Sequence, residues 1–298
     1  MKLTFLGTSS MVPTKDRNTS AILLNYKSEN ILIDCGEGTQ RQLRKAKISP
    51  TKITKILITH WHGDHVLGLP GLLETLAKSE YGKTLEIYGP KGTKNRIKEF
   101  YDIFVSRFSK IKLKVIDISK NGTFLDNKEF TLSAQKLDHS SICYGYSFQE
   151  KDKRKINLKY TKKFGLTKSP ILGKLQQGKT ITYQGKKITP DKGTILIPGK
   201  KVTFLIDAKK TKEMTTLAKN SDILISEATY KTEEKDLASK RKHMTSKHAA
   251  EIAKASKSKK LILTHFSQRY KNTKELEKQA KKIFKNTIAA KDFSTFDV

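Results

Sequence analysis

Thr59-His60-Trp61-His62-Gly63-Asp64-His65 decides the reading of this chain. Three of its seven histidines fall in this one H-x-H-x-D-H string. Neutral imidazoles and carboxylates are ligands for zinc and similar divalent ions, so the string points to a metal site. Lys55-Ile56-Leu57-Ile58-Thr59 before it is a short, branched, apolar run of the kind that forms a buried strand. Val66 to Ala77 after it turns to helical apolar spacing in its second half. The ligands therefore lie at the carboxyl end of a strand, where open α/β sheets place their ligands. His60 and His62 are two apart and point the same way in extended chain. Asp64 and His65 follow in the turn and reach a second position, which makes the expected site a two-metal one. A histidine-rich surface loop is the competing reading, and so few histidines in the chain leave it little room.

A second pattern lies outside the string. Asp34, His60, His139, Asp207, Glu227 and His265 each follow an apolar run, so all would emerge at one edge of a sheet. Singly, His139 reads equally as a turn residue and Asp207 as a helix cap. Together they read as one dinuclear centre.

The chain alternates strands and helices. Strands are expected at Leu3–Leu6, Ala21–Leu24, Ile31–Asp34, Leu85–Tyr88, Lys112–Val115, Phe130–Leu137, Tyr144–Phe148, Val202–Asp207, Ile223–Ser226 and Leu261–Thr264. Helices are expected at Thr39–Lys47, Gly92–Phe108, Thr211–Lys219, Ser246–Ser256 and Thr273–Phe284. Residues 150–193 are rich in lysine, glycine and glutamine with weak periodicity, which reads as an inserted arm or a long loop. No repeat at solenoid spacing is present.

The formal net charge of +31 favours a polyanionic partner. Lysine outnumbers arginine 52 to 8, however, which also suits a general lysine bias. Cys35 and Cys143 form no disulfide framework, and Cys35 has no partner at zinc spacing. No apolar run approaches the roughly 20 residues of a membrane span. Met1 to Gly7 turns polar too soon for a secretory signal. A reducing cytoplasm is the expected setting.

Several stretches carry a family resemblance. Thr59 to His65 matches the T-H-x-H-x-D-H motif of the metallo-β-lactamase superfamily. Within it, five further segments resemble the short-form tRNase Z family, which processes tRNA 3′ ends. These are the loop Pro13-Thr14-Lys15-Asp16-Arg17-Asn18, Asp34-Cys35-Gly36-Glu37-Gly38, Ser226-Glu227-Ala228-Thr229-Tyr230, His243-Met244-Thr245, and Leu263-Thr264-His265-Phe266-Ser267-Gln268-Arg269-Tyr270. The resemblance spans essentially the whole chain. It implies an α/β fold: an αββα sandwich of two mixed sheets flanked by helices. Residues 1–298 would form one such domain, with approximately 150–193 as an inserted flexible arm.

The resemblance also implies residue roles. His60, His62 and His139 would hold one metal, Asp64, His65 and His265 the other, and Asp207 would bridge them. Asp34 would fix a ligand histidine through its far ring nitrogen. Two zinc ions per subunit are implied, with manganese the alternative, and no organic cofactor. Two such ions activate a water for in-line attack on a phosphodiester. Asp64 would accept a proton from that water. His243, oriented by Glu227, would protonate the leaving ribose oxygen. Products would be a 3′-hydroxyl on the tRNA and a 5′-phosphate on the trailer.

Pro13, Lys15, Arg17 and Asn18 would form a loop near the RNA 3′ end, with a simple salt-bridged turn as the alternative, and Arg269 would also bind substrate. The arm, including Gly165 and Pro170, would clamp the tRNA elbow. Here Gly165-Leu166-Thr167-Lys168-Ser169-Pro170 keeps only one glycine and one proline of the family's G-x-P-x-G-P. A homodimer, with precursor tRNA as partner, is implied as well. His248 stands outside these roles and reads as a structural residue of a helix. A phosphodiesterase of the same fold acting on small diesters and a non-catalytic RNA-binding protein are the competing functions. The first should lack the arm, and the second should lack intact ligands.

Overall fold

The computed structural model describes residues 1–105 and 111–298. Its chain divides into a larger unit, Met1–Leu125 with Leu132–Phe148 and Lys201–Val298, and a smaller one, Asp126–Thr131 with Gln149–Lys200.

Two seven-stranded sheets organise the strands. The first runs in the order Thr295–Asp297, Lys2–Gly7, Ala21–Tyr26, Glu29–Ile33, Lys55–Leu57, Thr84–Pro90, Lys112–Ile118. The second runs Thr287–Ala289, Lys260–Thr264, Ile223–Glu227, Lys201–Leu205, Cys143–Glu150, Phe130–Leu137, Gly122–Asp126. Both are mixed. In the first, the strands from Glu29–Ile33 to Lys112–Ile118 are parallel. In the second, those from Lys201–Leu205 to Thr287–Ala289 are parallel.

Alternate residues of one strand serve different layers. Leu23, Leu32, Ile56 and Ile87 pack with Leu43, Leu69, Leu72, Leu76 and Ile97 of the helices on one face. Ile22, Leu24, Ile31 and Leu57 on the opposite face are equally buried. Sheets buried on both faces explain why these strands read as continuous apolar runs. Tyr26 against Phe148 and Tyr88 against Phe124 link side chains of the two sheets, and Tyr146 donates to Ile58 O at 2.6 Å. The second sheet's outer layer packs Leu205, Leu224, Leu261 and Leu263 with Met214, Ala249, Ala250, Ile252 and Leu276 of its helices.

The expected elements recur with ends shifted by a few residues. The helix expected over Gly92–Phe108 runs Thr93–Phe104, and residues 106–108 lie outside the described residues. Within the two large sheets, three short strands, Gly122–Asp126, Thr287–Ala289 and Thr295–Asp297, have no counterpart in the sequence reading.

The stretch expected as an inserted flexible arm at approximately 150–193 belongs to the smaller unit, which has strands and helices of its own. Two ribbons form, Lys153–Ile156 with Thr194–Ile197 and Ile181–Tyr183 with Lys186–Ile188. Leu166, Leu172, Leu175, Ile181 and Ile188 make a small core. Gly165 takes φ +70° where the short helix Lys162–Phe164 ends, a conformation glycine adopts at little cost. Among the described residues, no helix is long and apolar enough to cross a membrane.

Candidate metal centre

The carboxyl ends of the parallel strands place the site. Asp34 follows Glu29–Ile33 directly, and His60 follows Lys55–Leu57. In the second sheet His139, Asp207, Glu227 and His265 sit at or just beyond the ends of Phe130–Leu137, Lys201–Leu205, Ile223–Glu227 and Lys260–Thr264. Asp34, Asp207 and His265 all have positive φ, between +55° and +63°. Left-handed backbone is costly for such residues and clusters at functional sites. Here it turns each chain sharply out of its strand just where the side chain is needed.

The string itself is anchored from outside. Trp61 packs edge-on against Phe100, and its indole donates to Thr93 Oγ1 at 2.9 Å. Gly36 lies so close to the turn that a Cβ there would stand 2.4 Å from Asp64 O.

The side chains converge as three overlapping clusters: His60, His62, His139 and Asp207; Asp64, His65, Asp207 and His265; and Asp207, Glu227, His243 and His265. In the first, His62 Nδ1 is 2.9 Å from His60 Nε2 and 3.2 Å from His139 Nε2. In the second, His65 Nε2 stands 3.3 Å from Asp64 Oδ2 and 3.2 Å from Asp207 Oδ2. His265 Nε2 stands 3.5 and 3.6 Å from the same two oxygens. Asp207 Oδ2 also lies 3.2 Å from His60 Nε2. One carboxylate oxygen thus faces both histidine sets. In the third, His243 Nδ1 is 2.6 Å from Asp207 Oδ1 and 3.3 Å from Glu227 Oε2.

A divalent ion in each of the first two clusters fits the donors present. His65 Nε2 and His265 Nε2 are buried without a hydrogen bond, although carboxylate oxygens face them. Converging nitrogens and carboxylate oxygens of this kind are zinc-type ligands.

Electrostatics separate the histidines. Burial, with His65 beside it, lowers His60 to about 4 despite Asp207. Burial also opposes charge on His243, but Glu227 and Asp207 outweigh it and raise the ring to about 11. Burial opposes ionisation of Glu227, yet the nearby His243 keeps its carboxyl below the ordinary range.

The surroundings hold these groups still. Asp34 Oδ2 is 2.7 Å from His65 Nδ1. Glu227 accepts from Ala208 N–H at 2.6 Å, from Met244 N–H at 3.0 Å and from Thr229 Oγ1 at 2.5 Å. His248, half-buried, faces Thr245 N–H with Nδ1 at 3.4 Å in the capping box of helix Ser246–Ala255, just beyond His243.

The loop before Asn18 closes one side. Ser9–Ser10 pairs with Phe266–Ser267, and Met11 N–H donates to Asp64 Oδ2 at 2.8 Å. Nothing in the sequence marked Met11, because a backbone donor carries no residue identity. Arg17 is buried and donates to Ser267 O at 3.2 Å, so it braces the loop from beneath. Asn18 is tied by its backbone to Asp292 and by its amide to Glu37 O. Pro13 is exposed. A cavity of about 300 Å³ opens between Met11, His62, Asp64, His139, His243 and Arg269. Arg269 lies over the Tyr230 ring and pairs with Glu234 at its rim. Gly165 and Pro170 fall in the smaller unit.

Comparison with known proteins sets this geometry in context. The chain is 40% identical over 309 residues to a ribonuclease Z of Enterococcus faecalis, covering 100% of this chain and 97% of that protein. It is 39% identical over 303 residues to a ribonuclease Z of Archaeoglobus fulgidus, with the same coverage. The crystal structure of human tRNase Z, short form, superposes with TM-score 0.69 at 28% identity, covering 100% of this chain and 99% of that one. A metallo-β-lactamase fold protein of Bacillus subtilis shares the fold with TM-score 0.70 at 21% identity, covering 99% and 98%. The family model for the anti-Pycsar protein Apyc1 matches residues 1–101.

Proposed function

The chain belongs to the ribonuclease Z family, and from that premise we propose that it is a metal-dependent endoribonuclease that removes the 3′ trailer from precursor tRNA. The observation that carries the reading is Asp207 Oδ2 facing two histidine sets at once, at a cavity that also holds a carboxylate-backed histidine.

His60, His62, His139 and Asp207 would hold one ion, and Asp64, His65, His265 and Asp207 the other. Such ions supply Lewis-acid charge for the phosphoryl oxygens and lower the pKa of a water at the site. The chain's own groups do the rest. Asp64 Oδ2, which accepts from Met11 N–H, would take a proton from the attacking water. His243 has Nδ1 against Asp207 and Glu227, which leaves Nε2 as the atom that protonates the departing ribose 3′ oxygen. The products are a tRNA 3′-hydroxyl and a trailer 5′-phosphate.

Zinc as the resident ion and two ions per subunit suit the imidazole-rich donor set. The main body would act as one catalytic domain. The smaller unit, with lysines such as Lys159, Lys162, Lys163 and Lys168, would grip tRNA phosphates without reading sequence. A homodimer and a cytoplasmic setting complete the reading, the latter in keeping with two free, buried cysteines.

The test is cleavage of a 3′-extended precursor tRNA with both new ends mapped. A 3′-hydroxyl near the discriminator base is expected. Hydrolysis of small diesters with no cut in the precursor would leave a metallo-hydrolase and remove the tRNA assignment.

A further inference from the structure

Two buried threonines stand in matching positions, one at the site-facing end of each sheet. Thr59 Oγ1 donates to Asp34, 2.8 Å from Oδ2, and lies 3.0 Å from His60 Nδ1. Thr229 Oγ1 donates to Glu227 Oε2 at 2.5 Å and lies 3.1 Å from His265 Nδ1. Each carboxylate also faces a second histidine: Asp34 faces His65 and Glu227 faces His243. Asp34, Thr59, Glu227 and Thr229 are all essentially inaccessible to solvent, so water cannot stand in for a missing partner.

A hydroxyl has one proton and two lone pairs, whereas an ionised carboxylate only accepts. Once the threonine proton goes to the carboxylate, the oxygen can only accept from the imidazole. The ring must then carry its proton on Nδ1 and present a lone pair at Nε2. In both histidines, Nε2 is the atom turned towards Asp207 Oδ2, at 3.2 Å for His60 and 3.6 Å for His265. The tautomer that the hydroxyl enforces is the one a metal requires.

We propose that Thr59 and Thr229 are paired positioning residues that set the tautomers of His60 and His265. Thr229 does more, because its carboxylate is the one beside His243. Through Glu227 and Thr229, the proton-donating histidine and a metal-facing histidine share one hydrogen-bonded chain. Thr229→Val keeps the shape and removes the hydroxyl, so it leaves His265 Nδ1 unpaired and frees the ring to take the other tautomer. Loss of a partner behind a ligand histidine typically weakens metal binding roughly 10–100-fold.

The inference rests on the metal assignment of the proposed function but not on its substrate. It is therefore tested without RNA. Long-range ¹H–¹⁵N correlation spectra of the metal-free protein report which ring nitrogen of His60 and His265 is protonated, and zinc affinity is measured by chelator competition. We expect Nδ1–H for both rings in the wild type and a 10–100-fold loss of zinc affinity in T229V and in T59V. In T229S and T59S, affinity should return to within about threefold of wild type. Nε2–H at either histidine in the wild type overturns the proposal, even if the valine variants do not fold. So does wild-type affinity in T229V, or a serine variant no better than its valine counterpart. A protein that passes these tests but leaves precursor tRNA uncut would overturn the tRNA assignment and not the relay.

Discussion

Replacing Glu227 by glutamine tests proton donation when zinc is kept saturating. The carboxylate uses both oxygens: Oε1 for Ala208 N–H, and Oε2 for Met244 N–H and the Thr229 hydroxyl. An amide has only one oxygen. Whichever way it turns, its NH₂ meets either Ala208 N–H or Met244 N–H, and one buried donor loses its acceptor. An unsatisfied buried group costs about 1–3 kcal/mol, and loss of a charge-assisted bond adds a similar amount. E227Q should therefore lower unfolding free energy by roughly 2–5 kcal/mol, read from urea midpoints. His243 loses one of the two carboxylates beside Nδ1, Asp207 remaining, so proton donation should weaken roughly 10²–10⁴-fold, about 3–5 kcal/mol of barrier. The assay compares single-turnover cleavage of precursor tRNA with hydrolysis of a bis(nitrophenyl) phosphate diester, zinc being saturating in both. A ribose oxygen needs a proton to leave and a nitrophenolate does not. The loss should be large on tRNA and less than about tenfold on the activated diester. Equal losses on the two substrates would refute the assignment of Glu227 and His243 to leaving-group protonation.

Three further outcomes are expected. Chelation should lower the thermal midpoint and zinc should restore it, each bound ion adding about 2.7 kcal/mol of stability at a free zinc concentration 100 times its Kd; an unchanged midpoint would contradict ions in the buried clusters. Deleting Lys151 to Gly199 and closing the gap with a short turn should leave diester hydrolysis near wild type and weaken precursor tRNA binding at least tenfold, read by filter binding; undiminished tRNA binding would remove the smaller unit from recognition. Gly36→Ala should destabilise the protein by about 1–3 kcal/mol and reduce zinc affinity, because its Cβ would press on Asp64 O; neutral denaturation and metal titrations would show that this turn relaxes freely.

The strands carrying the site were legible because burial on both faces makes them unbroken apolar runs, as in Ile31–Ile33 and Ile223–Ile225. Their chemistry was legible because each ligand-type residue stands at the point where its run stops. The missed edge strands Thr287–Ala289 and Thr295–Asp297 are too short for any period to declare itself. Residues 150–193 were read as an inserted arm or long loop of weak periodicity because the five core residues there are scattered from Leu166 to Ile188 among lysines and glycines. Arg17 was read as facing RNA from the resemblance of its loop; burial and its bond to Ser267 O depend on chain distant in sequence and could not be read there. Thr59 and Thr229 were quoted within their motifs without a role. A hydroxyl's part in a site depends on its neighbours in space, and those neighbours come from distant strands.

The segment from Gln149 to Lys200 is closed where its ends meet: Glu150 N–H donates to Lys200 O at 2.8 Å, and Gln149 Nε2 donates to Gly199 O at 3.1 Å. That closure governs how the chain folds. The entropy of joining loop ends grows only logarithmically, about 0.6 kcal/mol for each doubling of length. Bringing Lys201–Leu205 into the sheet beside Cys143–Glu150 therefore costs little more free energy for the long segment between them. That segment, with its local ribbons and its own core, can form and open as a separate cooperative unit. Amide protons of Lys153–Ile197 should then exchange through openings that leave the two large sheets closed. The same closure would let this segment be lengthened or shortened without shifting the register of the strands that carry the histidine and carboxylate clusters.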